Sequence, residues 1–217
     1  FPIPAEVVGA QIDAVLCDIG ADAVKIGMLH SAQVIEAIAA RLSEYQVRNI
    51  VLDPVMVSTS GHRLIEDSAV ETLRRELIPI ARVITPNIPE AEILAGERIY
   101  GREDLPRIAC KLSLGGRVSV LMKAGHLTDD ELTDYFYNAE EDHIIELKSQ
   151  RCDTPNTHGT GCTLSSAFAS YLAQGMKLDD AARAAKAYIA AAIESGSHYS
   201  IGHGHGPVNH FFGIWTR

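Results

Sequence analysis

Four short apolar segments, each stopping abruptly on polar or glycine residues, constrain this chain most. They read "AVKIGML", "NIVLD", "RVIT" and "VSVLMK". Each is short for a buried helix and rich in β-branched residues, so each reads as a strand of a covered sheet. Amphipathic stretches separate them. "PAEVVGAQIDAVLCDI" carries Val7, Val8, Ile12, Val15 and Leu16 at helical spacing, and "SAQVIEAIAARLSEY" places Val34, Ile35, Ile38 and Leu42 on one face behind a Ser31 cap. Ser68 and Glu71 have capping-box spacing and open a helix expected to run through about Leu77. "PEAEILAG" reads as a short helix closed by Gly96, and a longer helix follows over roughly 102–114. "TDYFYN" and "HIIELK" read as an antiparallel pair around "AEED", and two final helices cover about 161–174 and 178–195 before a Gly/His-rich tail. Strands alternating with helices predict a single α/β domain over 1–217, with a mostly parallel sheet covered on both faces.

Ligands of such sheets bind beyond the carboxyl ends of the strands. Those ends carry Gly27-Met28, Asp53-Pro54-Val55-Met56, Thr85-Pro86-Asn87 and Lys123-Ala124-Gly125-His126. Asp53, Asn87, Lys123 and a methionine are therefore expected on one rim. The net charge of −9 argues against broad binding to nucleic acid or anionic lipid, so any anionic ligand must be held by local donors. No window approaches 18 consecutive apolar residues, which predicts no membrane-spanning helix. Cys17, Cys110, Cys152 and Cys162 form no C-x-x-C pair, which points to reduced thiols in an intracellular protein rather than a zinc knuckle. Cys17 and Cys110 fall on helical apolar patterns and are expected in the core.

The stretch "NTHGTGCTLSSAFASYLAQG" turns from small polar residues into a helix. Amides in a first helical turn lack intrahelical partners, and the dipole there favours negative charge. Gly159 and Gly161 let backbone approach an oxyanion, and Thr160 offers a hydroxyl, so "HGTGC" suits a phosphoryl group. A glycine turn with a threonine cap is the plainer reading. Cys162 would feel the same positive end, so its thiol is expected to ionise more readily. It would serve as a base toward a hydroxyl or as a nucleophile partnered by His158, or it packs under the loop. Asp53 reads either as a turn cap or as a carboxylate that holds a metal directly or through water. Asn87 and Glu90 read either as a cap with its box partner or as members of a metal's water shell. Lys123 reads as a solvated lysine or a phosphate contact.

"KIGML", "VLDPVMVSTSGHRLI", "ITPNIPEAEIL", "LMKAGH", "NTHGTGCTLSSA" and "GHGHGPVNHF" together resemble the hydroxymethylpyrimidine/phosphomethylpyrimidine kinases of the ribokinase-like superfamily, in order over essentially the whole chain. The resemblance implies a three-layer α/β/α fold and phosphorylation of hydroxymethylpyrimidine and then its monophosphate in thiamine biosynthesis, with ATP and Mg2+. It puts Cys162 at the catalytic-base position and Gly159, Thr160 and Gly161 around the transferring phosphoryl group. Lys123 would stand near the triphosphate, and Asp53, Asn87, Glu90, His126 and His205 on the nucleotide side, with Asp53 and Glu90 holding magnesium through water. Met28 and Val55 would line the pyrimidine pocket. A cytoplasmic homodimer is also implied. Lys123-Ala124-Gly125-His126 departs from the family's usual K-G-G-H. Family members also begin with about sixty residues not seen here, including a strand whose loss would leave sheet edges unpaired. A shortened chain is therefore expected, and 217 residues alone are expected not to turn over the pyrimidine. Three rival readings are a pyridoxal kinase, a non-catalytic nucleotide-binding homologue, and an acyl hydrolase using Cys162 and His158.

Overall fold

The computed structural model describes residues 1–56, 65–125 and 131–214. In chain order the elements are α1 (Ala5–Leu16), β1 (Val24–Ile26), α2 (Ala32–Glu44), β2 (Ile50–Leu52), α3 (Asp67–Thr72), β3 (Val83–Ile84), α4 (Ile88–Ala95), α5 (Leu105–Leu112), β4 (Ser119–Met122), β5 (Glu131–Asn138), β6 (His143–Gln150), α6 (Thr160–Ala173) and α7 (Leu178–Gly196). The six strands lie side by side in sequence order. β1 to β4 pair in parallel, and β5 and β6 add an antiparallel hairpin on β4.

Alternation along the strands sorts the core into two layers. Ile50, Leu52, Ile84, Val120 and Met122 face a cluster built with α2, α3, α4 and α5. Val51, Val83, Leu121 and Phe136 face α6 and α7, where Phe168 meets Phe136 at a ring-centroid distance of 5.6 Å. This is the three-layer α/β/α arrangement, with two helices on one face and the rest on the other.

Several sequence expectations change here. Cys17 and Cys110 are exposed rather than buried. Cys17 caps the end of α1, past its packed stripe, while Cys110 points away from the buried Ile108, Ala109 and Leu112 face of α5. Ser68 is not a cap, because α3 starts at Asp67 behind Glu66. Glu71 pairs instead with Arg74, and the helix widens into a π turn over Leu73–Leu77. β1 is only half-buried rather than fully covered, since it is an edge strand paired only with β2 among the described residues. α1 rests lightly on the core: Val8, Ile12 and Leu16 pack against it, while Val7 and Val15 stay exposed. Ser31 caps α2 and Gly96 closes α4 in a left-handed turn, as expected.

Candidate active site

The strand ends deliver their polar residues by simple parity. Asp53, Thr85 and Lys123 each stand two residues past Val51, Val83 and Leu121, which face α6 and α7. The final rungs fix their backbones. Asp53 N–H donates to Ile26 O at 2.9 Å, Thr85 N–H to Leu52 O at 3.0 Å, and Lys123 N–H to Pro86 O at 2.9 Å. Pro54 then ends the ladder beyond Asp53.

The side chains knot together under α6. Lys123 Nζ donates to Asp53 Oδ1 at 2.8 Å and lies 3.9 Å from Glu90 Oε2. Thr85 Oγ1 donates to Asp53 Oδ1 at 3.0 Å, and Ser165 Oγ reaches Asp53 Oδ2 at 3.4 Å. Thr85, though it ends its strand, and Ser165, though it lies in the helix-mouth stretch, were given no role by the sequence; strand parity for Thr85 and helical spacing from Gly161 for Ser165 would have found them. Asn87 and Glu90 form a full capping box. Asn87 N–H donates to Glu90 Oε2 at 2.8 Å, and Glu90 N–H to Asn87 Oδ1 at 2.9 Å. The cap reading holds, and the box also keeps the Glu90 carboxylate next to the Lys123 ammonium. Burial pushes the Glu90 carboxyl up to about 6; Lys123 and the Asn87 amide pull it back, and Asp53 opposes them. Burial also works against the Lys123 charge, but Asp53 and Glu90 outweigh it and hold the ammonium above its usual range.

The mouth of α6 closes over this knot. Gly159 sits at φ +82°, a left-handed turn that redirects the chain into the helix. The first intrahelical bond runs from Thr163 N–H to Gly159 O at 2.8 Å, so the amides of Gly161 and Cys162 lie ahead of it. Thr160 Oγ1 donates to Thr157 O at 2.7 Å and closes the loop, as the plainer reading of a glycine turn with a threonine allowed. A methyl on Gly161 would come within 3.4 Å of Lys123 Nζ and 3.8 Å of Asp53 Oδ2. The helix mouth and the strand-end knot are therefore neighbours.

The loop is stapled to the Gly/His tail. Asn156 Nδ2 donates to Gly196 O and Tyr199 O, both at 2.8 Å, and His158 N–H donates to Gly206 O at 3.0 Å. A side chain at Gly206 would overlap Asn156, so glycine is required there. His203 and His205 are exposed. His126 lies outside the described residues. Among the described residues no hydrogen bond joins His158 to Cys162, so the nucleophile–base couple is not formed.

Two cavities flank the α6 mouth. One, of about 400 Å³, is lined by the polar Asn87 and Lys123 with Gly161, and by the apolar Leu132, Leu164 and Ile193. The other, of about 500 Å³, runs along α6 from Cys162 past Ser166 and Ser170. Cys162 is exposed and faces the second cavity, while Gly161 faces the first. Val55 is half-buried beyond Asp53, and Met28 is 62% exposed at the end of β1. Neither lines these two cavities. Polar donors in a largely apolar pocket, with a thiol across the helix mouth, suit binding of a phosphorylated compound near a group able to take a proton.

Known proteins share this architecture. The profile of the phosphomethylpyrimidine kinase family matches residues 1–209. The hydroxymethylpyrimidine/phosphomethylpyrimidine kinase of Rhizobium meliloti is 46% identical over 214 residues, covering 98% of this chain and 79% of that protein. The thiamine biosynthesis bifunctional protein of Geobacter sulfurreducens is 47% identical over 208 residues, covering 96% of this chain and 42% of that one. Among solved structures, an ADP complex of Bacillus subtilis pyridoxal kinase superposes with a TM-score of 0.87 at 35% identity, covering 97% of this chain and 78% of that one.

Proposed function

This chain belongs to the phosphomethylpyrimidine kinase family, and from that premise we propose how its own residues carry out the reaction. The activity is phosphoryl transfer from ATP to the hydroxymethyl oxygen of the pyrimidine, and then to the phosphate of the product, in thiamine biosynthesis. The nucleotide occupies the cavity of about 400 Å³, with its base against the apolar lining and its phosphates toward Lys123. The amides of Gly161 and Cys162 and the Lys123 ammonium stabilise charge on the transferring group. Cys162 Sγ takes the acceptor's proton as the alcohol oxygen attacks, which fits an exposed thiol on the opposite side of the helix mouth from the nucleotide cavity. Val55 and Met28 belong to the acceptor side. Assembly as a homodimer in the cytoplasm completes the reading.

The family also implies magnesium, and the residues fit it. Asp53, Glu90 and Asp134 bring three carboxylates to this region against three cations, Lys123, Lys186 and Arg151, so the charges balance and leave no surplus for a triphosphate. A triphosphate needs added positive charge there. Asp53 is already engaged by Lys123, Thr85 and Ser165, and Glu90 by Asn87, so the donor set suits a hydrated ion held through water. When bound, the ion would neutralise charge on the phosphates.

The observation that carries this reading is the close approach of Gly161 to Lys123 and Asp53. The natural full-length protein, given ATP and hydroxymethylpyrimidine, is expected to release ADP in step with acceptor phosphorylation. A second acceptor is favoured by the superposition on pyridoxal kinase. Presenting both alcohols together separates them: preferential phosphorylation of pyridoxal would reassign the substrate, and no ADP release with either would overturn the kinase reading.

A further inference from the structure

The β4–β5 ladder stops at the pair Met122↔Tyr135. The next pair would set Lys123 opposite Asp134. Instead the Asp134 side chain takes over: its Oδ1 accepts the Ala124 N–H at 2.8 Å, one residue past the phosphate-facing lysine. Its Oδ2 accepts Lys186 Nζ from the middle of α7 at 2.7 Å. The Lys186 and Asp134 side chains are 10% and 7% exposed, and both line the nucleotide cavity together with Lys123. A buried ion pair is a poor source of stability, since apolar replacements often do as well or better. Here the pair bears directly on the backbone that carries Lys123.

We propose that Asp134 and Lys186 are a positioning pair for Lys123, an inference that rests on the reading of Lys123 as the phosphate-facing cation. Asp134 fixes the turn after Lys123 through the Ala124 amide. Lys186 cancels most of the Asp134 charge in the wall of a cavity that receives a triphosphate; Lys123 and the lining Arg151 are the other cations near it. The fully buried Ala124 fits this arrangement, because its contribution is the backbone N–H.

The variants separate these roles. Lys186→Met leaves the Asp134 charge facing the nucleotide, so KM for ATP is expected to rise about tenfold or more while KM for the acceptor alcohol holds. Asp134→Asn keeps an oxygen for the Ala124 amide and removes the charge, so ATP affinity is expected to hold or improve. Combining Asp134→Asn with Lys186→Met is expected to restore KM for ATP toward the natural value. A purely structural pair would lower the melting temperature in both single variants, leave KM for ATP unchanged and show no rescue. A Lys186 that contacts the phosphates itself would leave the double variant as impaired as Lys186→Met. Either pattern overturns the inference. Should Lys186→Met not fold, Asp134→Asn alone decides, because a loss of ATP affinity there contradicts the charge argument. ADP titration of the full-length protein runs alongside the kinetics. If the natural protein binds ADP but turns over neither alcohol, the kinase reading fails while the titration still decides whether Asp134 and Lys186 act on the nucleotide.

Discussion

The two ends of the sheet treat charge in opposite ways. At the carboxyl ends of the parallel strands, Lys123 and Asp53 side chains are 14% and 2% exposed, and Glu90 stands beside them in the core. At the other end, Arg82 forks onto Glu140 at 2.8 and 3.2 Å with side chains 27% and 55% exposed. His143 meets Asp179 there at 2.7 Å in a similar half-open setting. Surface pairs contribute about 0–1 kcal/mol, whereas breaking a buried pair costs about 3–5 kcal/mol because a charge is left unmatched. The chain thus concentrates its costly electrostatics where the helix mouth, two cavities and a thiol meet. The other end uses half-exposed pairs as light fasteners, Arg82–Glu140 between the start of β3 and the hairpin and His143–Asp179 between the hairpin and α7.

The contrast breaks first at Cys162. Because the thiol is exposed, Cys162→Ala is expected to leave the melting temperature unchanged while turnover falls about 10²–10⁴-fold; steady-state kinetics beside a thermal melt checks both halves. Lys123→Met is expected to cost about 10²–10³-fold in turnover and, unlike Cys162→Ala, to destabilise the fold by about 3–5 kcal/mol as Asp53 loses its partner. Adding Asp53→Asn to Lys123→Met should recover stability in denaturant titration without recovering activity.

A smaller effect sharpens the comparison through pH. The Glu90 carboxyl is raised to about 6 in the folded protein, above its ordinary 4.5. Its contribution to folding is therefore fully present below pH 4.5 and is lost as pH rises through about 6. Activity runs the other way, since the ionised form supports the cation and Lys123. Turnover should rise through an acid limb near pH 6, and Glu90→Gln should abolish that limb in a pH–rate profile. The least effect belongs to the far end. Asp179 holds the His143 imidazolium above its usual range, so this contact supports folding below about pH 6.5 and is lost as pH rises through the higher folded value. His143→Gln should therefore flatten a small part of the melting-temperature difference between acid and alkaline buffer and leave turnover untouched.

Much of the site was legible because strand parity and helix-mouth chemistry are local. Asp53, Asn87 and Lys123 fell at strand ends in the sequence, and the fold brings them to one rim. Gly159 and Gly161 announced the turn into α6. What escaped was partnership across long separations. Asp134 and Lys186 stand 52 residues apart, with no local motif to link them. Only the packing of α7 on the hairpin shows that they meet. Cys17 and Cys110 were misplaced for a related reason: periodicity marks a face, but which face a helix buries is decided by the sheet it lands on.

The most direct test of the account is a crystal structure of the natural full-length protein with a non-hydrolysable ATP analogue, magnesium and the pyrimidine alcohol. The terminal phosphate is expected within hydrogen-bond distance of the Gly161 and Cys162 amides and of Lys123 Nζ, with the Cys162 sulfur facing the alcohol oxygen. A triphosphate bound away from the α6 mouth, or a Cys162 side chain turned from the alcohol, would contradict it.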